Sequence, residues 1–284
     1  MKGFIVIFVT GAAGQLGSAL CHALGEDGLA LTRDQLDISD SAAIEALVLT
    51  KRPDVIINCA AYTAVDLAED EVDQCRDINA TAVESLAGAA NKVGALLVQI
   101  STDYVYGSAT ATDGANREGS PLLPQGVYAK TKLEGEGFAQ SCDQHLIVRT
   151  CGIYGHLPKP KNFVETMLRV GADRDELRVV DDQHCNPTSA ATITEAILAL
   201  IDGKARGVFN VAASPAMTWC EFAREIFRQA DMPTKVVPIT TEEFGAKAER
   251  PRYSVLDTSS YTRATGKTLP TIQDDLAKYL ATRS

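Results

Sequence analysis

Tyr128-Ala129-Lys130-Thr131-Lys132 sets a phenol and an ammonium four residues apart, so on a helix they project from one side, about a turn from each other. That pairing has chemical content. A tyrosine in water titrates near ~10, too high for proton exchange at neutral pH unless a cation steadies its phenolate, and Lys132 is such a cation. Alone, a Tyr-x-x-x-Lys spacing is common and means little; two other stretches give it weight. Val9-Thr10-Gly11-Ala12-Ala13-Gly14-Gln15-Leu16-Gly17 follows an apolar run and opens a helical pattern. Glycines there let the backbone turn sharply and approach a pyrophosphate, while the helix start turns free amides and its positive dipole end toward the anion. The plain alternative is a tight turn with incidental glycines. Strand, turn and helix in their proper order favour nucleotide binding. The second stretch, Gln99-Ile100-Ser101-Thr102-Asp103-Tyr104-Val105-Tyr106, is an apolar strand ending in hydroxyl and acid groups. Strand ends of a parallel sheet face the ligand crevice. Thr102 can hydrogen-bond a carbonyl oxygen there, so Thr102, Tyr128 and Lys132 form a catalytic set for carbonyl reduction, with NADPH or NADH as hydride source. The alternative is that Ser101 and Thr102 simply close the strand.

These groups need a scaffold, and the first 150 residues alternate β-rich apolar runs with helical patterns, the signal for β-α units feeding a parallel sheet. Strands are expected over Phe4 to Val9, Gly28 to Thr32, Asp54 to Asn58, Ala95 to Ser101 and Leu146 to Thr150. Helices are expected over Gly14 to Leu24, Ser41 to Lys51, about Asp70 to Val93, and Val127 to Gln140. The strand runs are apolar almost throughout, so helices should cover both faces. Beyond residue 150, proline-bearing loops at His156 to Lys161 and at Pro187 separate helices at Phe163 to Gly171 and Ser189 to Asp202. A third helix begins at Thr218, where Thr218-Trp219-Cys220-Glu221 reads as a capping box, and Val208 to Val211 should extend the main sheet. The fold class is α/β: a Rossmann-like doubly wound parallel sheet, residues 1–150, with a smaller C-terminal α/β substrate lobe, residues 151–284, woven onto it.

Composition narrows the partners. A formal net charge of -10 without a basic block argues against nucleic acid. The apolar run at Phe4 to Val9 is far too short to span a bilayer, so no membrane association is expected. Seven cysteines, an odd and scattered set, fit reduced thiols in the cytoplasm. The four histidines share no metal-like spacing, and no metal is expected. Trp219, in the first turn of a capped helix, reads as structural.

The spacing Gly11-x-x-Gly14-x-x-Gly17 resembles that of short-chain dehydrogenases, and longer stretches narrow the likeness. They are Gly14-Gln15-Leu16-Gly17; Arg52-Pro53-Asp54-Val55-Ile56-Ile57-Asn58 leading into Ala60-Ala61-Tyr62-Thr63-Ala64-Val65-Asp66; Ser101 to Val105; and Tyr128 to Lys132. Val179-Val180-Asp181-Asp182-Gln183, Pro187-Thr188, Glu221 to Phe227, Arg250-Pro251 and Ser254-Val255-Leu256-Asp257 continue it. Over nearly its whole length the chain resembles the dTDP-4-dehydrorhamnose reductase family, extended short-chain dehydrogenases. The resemblance implies NAD(P)H-dependent reduction of the 4-keto group of a thymidine-diphospho-6-deoxy sugar, dTDP-4-dehydro-L-rhamnose to dTDP-L-rhamnose, and cofactor contacts from Gly11, Gly14, Gln15, Leu16, Gly17, Asp37, Ile38, Ala60, Ala61 and Tyr62 as well as Tyr128 and Lys132. On the substrate side the candidates are Thr102, Asp103, Tyr106, Gly152 and Arg250, the last because guanidinium forks match phosphate oxygens. A homodimer is compatible with this reading.

Cofactor choice stays open, because Thr32-Arg33-Asp34 offers an arginine for a 2'-phosphate and an acid for a free ribose, and Asp37 better matches the family's adenine-side acid. Three departures touch the substrate side. Where the family reads Arg-Thr-Ser-Trp-Val-Tyr-Gly, this chain has Arg149-Thr150-Cys151-Gly152-Ile153-Tyr154-Gly155, which removes an aromatic wall. Asp182-Gln183-His184-Cys185-Asn186-Pro187-Thr188 replaces Asp-Gln-x-Gly-Ser-Pro-Thr, and Tyr253 stands where the family has Asn, a ring that can fill part of the gap. Related dehydratases carry Thr-Asp-Glu where this chain has Thr102-Asp103-Tyr104, which favours reduction. The rivals are a reductase or epimerase for another 4-keto nucleotide sugar, and a non-catalytic NADP-binding subunit similar to the regulatory subunit of methionine adenosyltransferase.

Overall fold

Short apolar strands joined by amphipathic helices can bury their backbone polar groups only by lining up as a covered sheet, and this is what the chain builds. The computed structural model describes residues 6–107, 109–157 and 162–283. The first half runs β1 (Ile7–Thr10), α1 (Gln15–Leu24), β2 (Gly28–Leu31), α2 (Ser41–Lys51), β3 (Val55–Asn58), α3 (Val72–Arg76), α4 (Ala82–Val93), β4 (Leu96–Thr102), α5 (Gly126–Gln140) and β5 (His145–Thr150). Then come α6 (Phe163–Gly171), β6 (Glu176–Val180), β7 (His184–Cys185), α7 (Ala190–Asp202), β8 (Gly207–Asn210), β9 (Met217–Thr218), α8 (Trp219–Gln229), β10 (Lys235–Ile239), α9 (Thr241–Phe244), α10 (Ser259–Thr265) and α11 (Ile272–Ala281). The start of the first expected strand, Phe4 and Ile5, and residues 158–161 of the expected proline-bearing loop lie outside the described residues.

The main sheet has the order β2-β1-β3-β4-β5-β8, with every pairing parallel. Alternate strand residues divide its core. Val9, Ile57, Val98 and Val148 meet Leu16 and Leu20 of α1 and Ile193 and Ile197 of α7. Their neighbours Phe8, Ile56, Leu97 and Ile147 meet Ile44 and Val48 of α2, Val83 and Leu86 of α4, and Ala139 of α5. The strand order reverses direction between β1 and β3, which opens a crevice at the carboxyl ends of these strands.

The long helix expected before β4 is divided. Between α3 and α4 lies a π-helical stretch, Asp77–Thr81, whose wider coil carries Asn79. The Asn79 amide receives the backbone N–H of Tyr62 at 2.9 Å and donates to its carbonyl at 3.1 Å, tying the loop after β3 to this helix.

The later chain builds a second core in which Leu168, Leu177, Val179, Phe222, Ile226 and Val236 meet Ile272 and Leu276. It is organised by the parallel pair β6 and β10, which pattern reading did not find. The same half also returns to the main sheet, where α7 covers one face and β8 pairs with β5.

Candidate active site

The glycine turn after β1 has the geometry that nucleotide binding needs. Gly11 sits at φ +63°, and a Cβ there would lie 2.6 Å from the backbone nitrogen of Ala60. A Cβ on Gly17 would lie 2.3 Å from the Gly11 carbonyl oxygen. The first glycine lets the turn press against the end of β3, and the last lets α1 press against the turn. Gly14 is then the helix N-cap without a side-chain partner for the free amides that follow, as an anion site requires. These residues fit a dinucleotide pyrophosphate.

Gly14, Gln15, Leu16 and Gly17 line a cleft of about 600 Å³ together with Cys59 and Ala61 after β3, Ser101 to Tyr104 at the end of β4, and Thr150 to Ile153 at the end of β5. Tyr128 of α5 lines it as well, and so do Gln183, Cys185, Trp219, Pro251 and Ser254 from the later chain. A larger hollow of about 1340 Å³ between α6, the end of α8 and Arg283 contains none of the strand-end residues. The chemistry gathers in the first cleft.

Tyr128 is half-buried there and meets the Tyr104 ring edge-on, with centroids 5.8 Å apart. Burial pushes its pKa well above the ordinary tyrosine value; the Thr102 hydroxyl pulls the other way and the Asp103 carboxylate adds to the rise. Thr102 donates to Asp103 Oδ1 at 3.2 Å and accepts from the Tyr104 amide at 3.2 Å. Asp103 is buried, and desolvation lifts its pKa to about 6 against hydrogen bonds from Ser254, Cys151 and Thr102. Lys132 is 3 % exposed, with Nζ donating to the Ile100 carbonyl at 2.6 Å. Burial brings its pKa down to about 8, with Glu136 working in the opposite direction. The lysine is thus turned to the strand behind the tyrosine, and the phenol is shifted chiefly by burial, with smaller influences from Thr102, Asp103, Cys75 and Cys151.

Tyr128, Lys132 and Glu136 recur at helical spacing, and Glu136 anchors the row. It accepts from Ser101 Oγ on β4 at 2.5 Å and from Arg149 Nε and Nη2 on β5 at 2.9 and 2.6 Å. Arg149 also donates to the Tyr106 hydroxyl at 2.8 Å, and Tyr106 donates to Asn210 Oδ1 at 3.0 Å. Tyr106 is therefore not a substrate contact. It is 1 % exposed and its hydroxyl is spent inside this network.

Arg250 is placed differently from expectation, and the remaining candidates sit around or behind the cleft. Arg250 does not line the cleft; its guanidinium forks onto both oxygens of Asp66 at 3.0 and 2.7 Å, while its neighbour Pro251 reaches the cleft instead. Ile38 is a core residue against α2. Asp37 accepts from Ser39 and lies 3.5 Å from Arg33, whose side chain is 76 % exposed. Tyr62 is buried, donating to Glu71 Oε2 at 2.6 Å. Ala60 contributes its backbone, against which Gly11 packs. Tyr253 lies beside His184 and not in the cleft, so it does not fill the space at Gly152.

Sequence reasoning missed Trp219, Ser254, Gln183 and Thr150. The Thr150 hydroxyl is buried with no partner among the described residues, directly across the β4–β5 pair from Thr102. The capping box at Thr218 is present as expected, and it was the one available signal that Trp219 is held in a fixed place.

Residues 5–284 match the family described as RmlD substrate binding domain. A dTDP-4-dehydrorhamnose reductase of Streptomyces griseus is 41% identical, covering 90% of this chain and 86% of the relative. The spore coat polysaccharide biosynthesis protein SpsK of Bacillus subtilis is 38% identical, covering 88% of each. Among solved structures, a dTDP-4-dehydrorhamnose reductase of Bacillus anthracis in complex with NADP superposes with a TM-score of 0.93 at 37% identity, covering 98% of this chain and 99% of that one. With a family match over nearly every residue, relatives above a third identical and the tyrosine, threonine and glycine turn on one cleft, the chain belongs to the dTDP-4-dehydrorhamnose reductase family.

Proposed function

We propose that the chain is an oxidoreductase that uses NADPH to reduce the 4-keto group of dTDP-4-dehydro-L-rhamnose. The observation that carries this is Tyr128 lining the same cleft as the glycine turn and the Thr102-Asp103 strand end. When bound, the nicotinamide supplies the hydride. The turn from Gly11 to Gly17 holds the pyrophosphate, and Arg33 is the cation available for a 2'-phosphate. Thr102 donates to the carbonyl oxygen and fixes its direction. Tyr128 gives up its proton as negative charge develops on that oxygen; because its pKa is raised by burial, the proton is in place at neutral pH. Lys132, charged below about pH 8, supplies positive potential one turn away as the phenolate forms. The reading extends to a cytoplasmic enzyme that works as a homodimer, which light scattering of the purified chain would test.

The test is loss of nicotinamide absorbance with dTDP-4-dehydro-L-rhamnose in the presence of NADPH or NADH. Tyr128→Phe should bind NADPH normally and lose about 100-fold or more in turnover, the contribution of a positioned proton donor. Near-normal turnover of that variant would remove Tyr128 from its role. Turnover only with another 4-keto sugar nucleotide would keep the chemistry and replace the substrate.

A further inference from the structure

Gly152 lines the cleft just after β5, and the side chain that lies against it comes from a remote part of the chain. Its backbone is left-handed at φ +50°, and a Cβ there would meet Trp219 Cη2 at 3.0 Å and Pro187 Cα at 3.1 Å. The outer edge of the indole therefore lies against the bare glycine backbone, and a side chain at 152 would be strained by the left-handed backbone and would press on the indole and on Pro187. Trp219 comes from a different part of the chain, the first turn of α8, and it is held firmly. The Thr218 hydroxyl accepts from the Glu221 amide at 3.0 Å, the Glu221 carboxylate accepts from the Thr218 amide at 2.8 Å, and Thr218 Oγ1 donates to Asp181 at 2.6 Å. Behind the indole, Phe163 packs at 4.7 Å between ring centroids. Phe163 on one side and Gly152 at the outer edge hold the ring in place, and the half-buried indole lines the cleft.

Around it the cleft is mixed: Thr102, Asp103, Gln183 and Ser254 bring polar groups to an otherwise largely apolar lining, and Tyr104, after β4, meets Tyr128 of α5 edge to face. A hexose ring has hydroxyls that suit the first group, and a C–H face with, in a 6-deoxy sugar, a methyl group that has no use for them. We propose that Trp219, seated against Gly152, is the specificity-determining wall that packs on the apolar face and C6 methyl of the sugar. Gly152 is then the residue that makes room for the indole. The inference rests on the proposed function and adds a residue that reads the sugar and takes no part in proton transfer.

Trp219 is the only tryptophan in the chain, which allows a direct test. With NADP⁺ held at saturation, dTDP-L-rhamnose should change the intrinsic tryptophan emission, whereas dTDP, which lacks the sugar, should leave it unchanged. Trp219→Phe and Trp219→Ala should raise KM for the 4-keto sugar nucleotide by about tenfold or more, the scale of a lost apolar pocket contact, with NADPH affinity unchanged and kcat within about threefold. Gly152→Ala, which pushes on the indole with Trp219 still present, should shift the resting emission and raise KM in the same direction. A wild-type emission that responds equally to dTDP, or unchanged KM in Trp219→Phe, overturns the proposal. Absence of wild-type turnover with any dTDP-4-keto sugar would instead overturn the proposed function, and it is seen before any variant is made.

Discussion

Lys132 keeps an ammonium out of water, and the consequence can be measured. Its pKa in the folded chain, about 8, lies below the ordinary lysine value of 10.5, because burial outweighs the opposing Glu136 carboxylate and the Cys59 and Cys75 thiols. A lowered lysine pKa means that folding carries the full cost of the buried charge below about pH 8. The cost fades as the pH rises toward 10.5, since the unfolded chain keeps its proton through that window while the folded chain releases it. Replacing the charge should relieve the cost. The Ile100 carbonyl would not be orphaned, because it also accepts from Gln99 Nε2 at 2.9 Å. Lys132→Met is therefore expected to be more stable than wild type at neutral pH by roughly 3 kcal/mol, an advantage that shrinks by about pH 10, while turnover falls. Urea unfolding at both pH values measures it; a variant less stable at neutral pH would mean that the Glu136 attraction exceeds desolvation. At this scale the sequence was most legible where chemistry and spacing coincide. Tyr128, Lys132, Thr102 and the glycine turn are recognisable because their types are rare in that order. Tyr106 and Arg250 were misplaced because a tyrosine at a strand end and an arginine in a loop look the same whether they face a ligand or satisfy Arg149 and Asp66. Trp219 was hidden because its partner, Gly152, is remote in sequence.

Among the elements, α5 matters most, since it carries the proton donor and must be held against two strands. Glu136 does this by pairing with Arg149 while accepting from Ser101, with both charged side chains almost wholly buried, at 2 % and 1 % exposure. Removing one partner of such a pair leaves a buried charge uncompensated, which costs about 3–5 kcal/mol. Glu136→Gln should lower stability by that amount and reduce turnover, as α5 loses its tie to β4 and β5. The double change Glu136→Gln with Arg149→Met should recover much of the stability, because the stranded charge is gone; thermal melts of the single and double variants decide it. If the single change is neutral, the network does not position the helix. The first-half strands were legible to within a few residues because each is a continuous apolar run after a turn signal. The parallel pair β6 and β10 was not, and the reason is physical: each strand mixes buried and exposed positions, and the register joins Glu176 to Lys235 across two helices and a second short sheet. The π-helical stretch was missed because α3, Asp77–Thr81 and α4 follow one another without a gap, so the coil widens with no turn signal in the sequence to mark it.

For the molecule as a whole, the question is whether the later lobe is a separate folding unit or part of the sheet. The chain crosses between them repeatedly. After the lobe helix α6, α7 returns to cover one face of the sheet and β8 adds to its edge, before α8 goes back to the lobe core. Gln15 of α1 accepts from the Gly155 amide at 2.8 Å and from Asn162 Nδ2 at 2.8 Å, clasping the sheet to the start of the lobe at the cleft. Asp275 of α11 is buried among the hydroxyls of Tyr154, Ser189 and Thr192, joining the last helix to the ends of β5 and α7. Chains well above about 150 residues often unfold in stages, and a lobe joined by one linker would melt first. Stitching of this kind opposes that. Trp219, the single tryptophan, reports on the lobe side of the cleft, whereas far-ultraviolet circular dichroism is dominated by the helices of the whole chain. The expectation is that both signals follow one denaturant curve with the same midpoint. A tryptophan transition at lower denaturant, with most of the helical signal retained, would show that the lobe opens on its own and that the cleft is assembled from two independently stable parts.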